Sequence, residues 1–200
     1  MAKIGIYGGT FNPIHNGHLH ILCQFMEQLS LDQVLLIPDR VPPHKPVHDM
    51  APAEDRLAMC ELAVGDMQGV IVSDMEIKRQ GKSYTADTLQ ELKKQFPEDE
   101  LFLLMGEDMF LTVEHWYRPD VIFRCATLAG APRQDGNTQK MEEHCLVLQS
   151  LDANVRLCHI PFLPVSSTQI RQYCSMGKSI GDLVPAQVDR YIHEHHLYGL

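Results

Sequence analysis

The feature that most limits the fold stands near the N-terminus. There a short apolar run passes through a double glycine and straight into a helical pattern: Lys3-Ile4-Gly5-Ile6-Tyr7-Gly8-Gly9-Thr10-Phe11-Asn12-Pro13-Ile14-His15-Asn16-Gly17-His18. A strand with no polar face predicts a sheet covered on both sides. The segment after it places Leu19, Ile21, Leu22, Phe25, Met26 and Leu29 at helical spacing. A strand followed directly by a helix is the first half of a βαβ unit, which requires parallel pairing and right-handed crossovers. Gly8 and Gly9 let the backbone approach a ligand with no Cβ in the way, and N–H groups at a helix start attract anions. His15 and His18 fall near one face of the first turn. The stretch suits the phosphate chain of a nucleotide.

The rest of the chain repeats the alternation. Val34-Leu35-Leu36-Ile37 reads as a second buried strand stopped by Pro38, and residues 39–50 as a long loop containing Val41-Pro42-Pro43-His44-Lys45-Pro46. Loops of that length in compact domains are usually functional. Residues 52–65 predict a helix with Leu57, Ala58, Leu62 and Ala63 on its apolar face. Residues 70–72 and 75–77 read as strand segments, and Ser83 or Thr85 as the cap of a helix running to Phe96. Residues 101–105 form the most apolar run, a central strand that breaks at Gly106-Glu107-Asp108. Then follow a helix at 119–125, a strand at 127–129, a helix at 140–151 and a last strand at 155–160. Helices opening at Ser166 and at Pro185 close the chain. The expected class is α/β: a Rossmann-like, doubly wound, mostly parallel sheet in a single domain over residues 1–200, with a helical part from about 166. Ligands in such sheets bind beyond the carboxyl ends of the strands. The loops there are 8–18, 39–50, the segment before Thr85, 106–108, the loop around Arg133, and 166–171.

Composition narrows the function. Seventeen Lys and Arg against 26 Asp and Glu give a formal net charge of −9, which argues against a broad nucleic-acid surface. Anionic substrates must then be held by a few placed cations and backbone N–H groups. No apolar run is long enough to span a membrane, and no signal peptide pattern is evident, so a cytoplasmic location is expected. Six cysteines without CxxC spacing read as buried, reduced thiols.

The first loop matches neither GxGxxG nor GxxxxGK[ST]. His15-Asn16-Gly17-His18 resembles the HxGH signature of the adenylyltransferase and cytidylyltransferase superfamily. A zinc pair is not favoured, because no third ligand stands at metal spacing. A second signature is Val165-Ser166-Ser167-Thr168-Gln169-Ile170-Arg171. Hydroxyls at a helix start with Arg one turn later suit phosphate, and the stretch resembles the ISSTxIR motif of the same superfamily. The full first loop narrows the likeness to bacterial nicotinate-nucleotide adenylyltransferase, as do Val41-Pro42-Pro43-His44-Lys45, Ser83-Tyr84-Thr85-Ala86-Asp87-Thr88-Leu89, Gly106-Glu107-Asp108, Trp116-Tyr117 and Leu183-Val184-Pro185. The likeness covers nearly the whole chain.

The resemblance implies transfer of AMP from ATP to nicotinate mononucleotide, giving nicotinate adenine dinucleotide and pyrophosphate in NAD biosynthesis. A phosphate nucleophile is already ionised at neutral pH, so no general base is required. By the same analogy His15, His18 and Arg171 are the catalytic groups, acting as charge stabilisers for the triphosphate. Gly8, Gly9, Thr10, Phe11, Gly106, Asp108, Ser167 and Thr168 bind ATP. His44, Lys45, Thr85, Trp116, Tyr117 and Arg133 bind the mononucleotide: Trp116 stacks on the pyridine, Thr85 and Tyr117 offer N–H groups to the carboxylate, and the others take the phosphate. Read as residues alone, Asp108 is equally a helix cap, Trp116 a core or rim residue, and Lys45 and Arg133 solvated charges. Mg²⁺ is the implied cofactor, carried mainly by ATP phosphates with no dedicated protein ligands. Position 12 is Asn where the family often has Asp, which removes a charge. The partners expected are ATP and nicotinate mononucleotide, with no nucleic acid and no membrane; a homo-oligomer is compatible. Alternatives are a relative acting on nicotinamide mononucleotide or a phosphopantetheine-type acceptor, and a catalytically silent nucleotide sensor.

Overall fold

A computed structural model of the chain describes residues 1–43, 50–65, 67–132 and 138–199. In order, the elements are β1 (Lys3–Gly9), α1 (Asn16–Leu29), β2 (Gln33–Pro38), α2 (Ala53–Val64), β3 (Val70–Val72), α3 (Met75–Lys78), α4 (Thr85–Gln95) and β4 (Glu100–Gly106). They continue with α5 (Glu107–Phe110), a 3₁₀ turn at Val113–His115, α6 (Pro119–Cys125), β5 (Thr127–Ala131), α7 (Gln139–Ser150), β6 (Val155–Leu157), α8 (Ser167–Ser175), α9 (Ala186–Glu194) and a 3₁₀ turn at Leu197–Gly199. The described strands make one six-stranded sheet in the order β3-β2-β1-β4-β5-β6. β1 pairs parallel with β4, β4 with β5, and β5 with β6. The order reverses at β1 and β4, the switch point beyond whose carboxyl ends ligands bind in open α/β sheets.

The central strands are apolar on both faces, as a covered parallel sheet requires: Ile4 through Tyr7 and Leu101 through Met105 are all buried. Gly5 shows how closely this layer is packed. A Cβ there would stand 2.8 Å from Leu31 and 3.0 Å from both Leu104 and Val34. At Gly8, next to last in β1, and Gly106, the end of β4, a Cβ would meet no atom within 4 Å, and neither residue takes the left-handed φ that favours glycine. Internal packing therefore gives no reason for glycine at these two strand ends.

The chain packs as two compact units. One contains Met1–Gly8, Cys23–Leu35 and Tyr84–Phe162. In it Phe110 and Met141 leave no room for a Cβ at Gly130, at 2.6 and 2.7 Å. The other contains Gly9–Leu22, Leu36–Ser83 and Leu163–Leu200.

Four local expectations need correction. Residues 75–77 are not a strand: Met75–Lys78 is a helical turn, joined by a Lys78–Asp74 ion pair at 2.8 Å, and its buried residue is Glu76 instead of Met75 or Ile77. The inward face of α2 is Arg56, Met59, Cys60 and Val64, and Leu62 is exposed. That rotation puts the Arg56 guanidinium among backbone carbonyls, which satisfy it. Neither Ser83 nor Thr85 caps α4. The cap position is Tyr84, and the Ser83 hydroxyl instead accepts from the Arg40 N–H at 3.0 Å. The last strand ends at Leu157, not Ile160. All six cysteines are unpaired; Cys60, Cys158 and Cys174 are buried and Cys23 is exposed.

Candidate active site

α1 begins with a pair of hydrogen bonds that its residue types conceal. His15 is the cap residue and His18 the third helical residue. The His18 N–H is shared between the His15 carbonyl at 2.9 Å and the His15 Nδ1 at 3.3 Å, and the His15 N–H donates to His18 Nδ1 at 3.3 Å. This is the reciprocal geometry of a Ser-x-x-Glu capping box, built from two imidazoles. The rings stack with centroids 3.6 Å apart and planes 20° apart. Phe11 meets the His18 ring edge-on at 5.1 Å. Gly17 fits because a Cβ there would press on the His15 ring at 3.1 Å. With each Nδ1 accepting, a neutral ring carries its proton on Nε2. His15 is only 6 % exposed, and burial lowers it from 6.5 to about 4. It therefore enters at neutral pH as an uncharged donor.

α8 supplies the second group. Ser166 caps it, its hydroxyl accepting from the Gln169 N–H at 3.2 Å. The backbone N–H groups of Ser167 and Thr168 donate to no described residue, which leaves two donors at a positive helix end. The Ser167 hydroxyl donates to Pro13 O at 2.9 Å, so its proton is committed and the residue meets an anion through its N–H. Arg171 Nη1 donates to Asn12 O at 2.9 Å and Nη2 to Thr168 Oγ1 at 3.4 Å. These bonds tie the start of α8 to the loop that leads into His15. Residues 9–18 of the first loop, with both histidines, and Ser167, Thr168 and Arg171 belong to one compact unit.

Behind the loop lies a polar network that sequence reasoning missed. Arg56 is fully buried. Its guanidinium donates to Thr10 O at 2.7 Å, Ala51 O at 3.1 Å and Arg40 O at 3.3 Å, and pairs with Asp39 at 3.1 Å. Thr10 Oγ1 donates to the other Asp39 oxygen at 2.9 Å. Thr10, expected to contact ATP, is thus anchored by both its carbonyl and its hydroxyl. Asn12 Oδ1 accepts from Ala51 N–H at 3.0 Å and from the Tyr198 hydroxyl at 2.8 Å.

The other unit carries the residues expected to hold a pyridine ring. The N–H groups of Thr85, at the start of α4, and of Tyr117 donate to no described residue. The Tyr84 and Tyr117 rings meet at 4.4 Å. Arg118, in a left-handed conformation (φ 54, ψ 59), donates to Gln90 at 3.1 Å and pairs with Asp87 at 3.5 Å, both on α4. Trp116 is half-buried and its Nε1 donates to Thr112 Oγ1 at 3.4 Å. Asp108 is exposed and lies inside the first turn of α5, whose cap position is Gly106. His44, Lys45 and Arg133 lie outside the described residues.

A sequence profile of the cytidylyltransferase-like family matches residues 6–173. A probable nicotinate-nucleotide adenylyltransferase of Neisseria meningitidis serogroup B is 42 % identical over 201 residues, covering 99 % of each chain. One from Lachnoclostridium phytofermentans is 38 % identical over 199 residues, covering 99 % of this chain and all of its own. The chain belongs to the nicotinate-nucleotide adenylyltransferase family. Among solved structures, the Plasmodium falciparum nicotinic acid mononucleotide adenylyltransferase complexed with NaAD shares the fold, with a TM-score of 0.81 at 20 % identity over 99 % of this chain and 98 % of that one.

Membership in the family accounts for the two motifs that the sequence set far apart. Arg56, Asp39, Tyr198 and Arg118 carried no such signal. An Arg and an Asp read as solvated charges until the carbonyls that enclose them are known. No helix of the described residues is long and apolar enough to cross a membrane.

Proposed function

We infer that this chain transfers the adenylyl group of ATP to nicotinate mononucleotide, releasing pyrophosphate and forming nicotinate adenine dinucleotide in NAD biosynthesis. The observation that carries the reading is the joining of the start of α8 to the first loop through Ser167–Pro13 and Arg171–Asn12. It gathers ring N–H, backbone N–H and guanidinium donors in one unit, as a triphosphate requires.

The reaction is an in-line displacement. An oxygen of the mononucleotide phosphate bonds to the α-phosphorus of ATP, and the bond to the bridging oxygen of pyrophosphate breaks. No covalent enzyme intermediate forms. His15 and His18 present Nε2–H donors to the α- and β-phosphates, where negative charge develops. The N–H groups of Ser167 and Thr168 and the remaining Arg171 donors take the β- and γ-phosphates. Gly8 and Gly106 give the adenosine a surface without Cβ atoms. Thr85 and Tyr117 N–H groups favour a carboxylate over an amide, because an amide nitrogen would bring a donor against a donor. Trp116 stacks on the pyridine ring, and His44, Lys45 and Arg133 take the mononucleotide phosphate.

The donor set fits Mg²⁺ carried on the phosphates. Asn12 Oδ1 is occupied by two donors and Asp39 by Arg56 and Thr10, and no described group of three His, Cys, Asp or Glu is arranged to hold a metal. When bound, Mg²⁺ offsets phosphate charge. In this reading the chain acts as one catalytic domain in the cytoplasm, a compartment to which six unpaired thiols are suited.

The test is a two-acceptor assay, with nicotinate and nicotinamide mononucleotides compared side by side. A clear preference for the acid is expected, and a preference for the amide would overturn the choice of substrate. Pyrophosphate release should vanish in a folded His18→Ala variant; undiminished turnover would remove His18 from the mechanism.

A further inference from the structure

A residue near the far end of the described chain reaches the loop near its beginning. Tyr198 lies in the turn Leu197–Gly199 with φ 63 and ψ 28, a left-handed conformation uncommon for a side chain of this size. Gly199 follows at φ 89, where a Cβ would stand 3.6 Å from Ser175 at the end of α8. The tyrosine hydroxyl donates to Asn12 Oδ1 at 2.8 Å. Burial raises the phenol well above its ordinary range, so the hydroxyl remains a donor at neutral pH.

Asn12 stands at a junction. Its side-chain oxygen accepts from Tyr198 and from Ala51 N–H. Its carbonyl oxygen accepts from Arg171 Nη1 at 2.9 Å. Ala51 is in turn held from the other side, its carbonyl accepting from Arg56 Nε at 3.1 Å. The Asn12 peptide is therefore clamped between the turn at 197–199 and the buried Arg56 network. The group it holds is the guanidinium that the proposed reaction needs. All these residues lie in one compact unit.

We propose that Tyr198 is a positioning residue for Arg171: its hydroxyl fixes Asn12, and the Asn12 carbonyl sets the direction of the guanidinium that meets the triphosphate. The inference rests on the function proposed above. It also gives Asn12 a role that needs no negative charge. An acceptor is required there, and either Asn or Asp supplies one.

The experiment measures initial rates with ATP varied at saturating nicotinate mononucleotide, and the reverse, for wild type, Tyr198→Phe, Arg171→Ala, the double variant and Asn12→Asp. Tyr198→Phe keeps the ring and deletes one oxygen. It should lower kcat/KM for ATP about ten-fold and leave KM for the mononucleotide and the thermal midpoint close to wild type. Asn12→Asp should retain activity. Added to Arg171→Ala, Tyr198→Phe should cost nothing further, because both act through one guanidinium. Full activity in Tyr198→Phe, equal losses toward both substrates, additive losses in the double variant, or loss of the fold would each overturn the proposal. If Arg171→Ala is as active as wild type, the phosphate-binding role itself fails. If Arg171→Ala is impaired and Tyr198→Phe is not, only the role of Tyr198 fails.

Discussion

His15 should make this protein acid-labile in a defined window. In the folded chain burial lowers the imidazole to about 4, whereas in the unfolded chain it titrates near 6.5. Above 6.5 both states are neutral and His15 contributes no pH dependence. As pH falls from 6.5 the unfolded state binds a proton that the folded state refuses, so stability is lost until about pH 4, where both states are protonated. The gap between those two values corresponds to about 3 kcal/mol. His15→Asn provides the comparison, since Asn is among the best helix caps and does not titrate. Urea unfolding of both proteins from pH 7.5 to 4 should show the wild type losing about 3 kcal/mol more than the variant, which is about 1–2 M in midpoint for a common urea dependence. Titrating groups that do not touch His15 cancel in the difference. Parallel stability curves would refute the reasoning, as would an NMR titration of the His15 ring centred near 6.5. The same argument fixes the catalytic sign. His15 is already neutral at pH 7, so it causes no loss of activity as pH rises through 6.5.

Two further outcomes follow from the geometry. Gly8→Ala should fold as well as wild type, because a Cβ there meets no atom within 4 Å; KM for ATP should nevertheless rise several-fold in steady-state assays, and an unchanged KM would show that no ligand approaches this strand end. Arg118→Ala releases the segment bearing Tyr117 from α4; because the pair is partly exposed, the stability cost should stay below about 1 kcal/mol, while discrimination between acid and amide acceptors should narrow in the two-acceptor assay.

The sequence made the outline legible for simple reasons. Short apolar runs followed by helical periodicity leave little choice but parallel βαβ units, and the observed strand order agrees. The two phosphate motifs carry residue types that few other local structures need. What was hidden were interactions whose partners lie far away in the chain. Arg56 sits on α2 among residues that by type alone could face either way, and the rotation of that helix is decided by the carbonyls of Thr10, Arg40 and Ala51. Tyr198 is separated from Asn12 by nearly the whole chain. Histidine is not a usual capping residue, so the spacing of His15 and His18 speaks for chemistry before capping, and the structure shows that the pair also starts α1.

The Arg56 network has a consequence for how the site opens. One guanidinium closes three loop ends at once, and it is carried on α2, a helix of 12 residues. Segments joined in this way exchange their amide hydrogens together, as one cooperative unit whose opening free energy is shared. The backbone around Thr10, Arg40 and Ala51 can therefore be no more persistent than the docking of α2. A fluctuation that lifts this helix loosens the loop leading to the histidines in the same event.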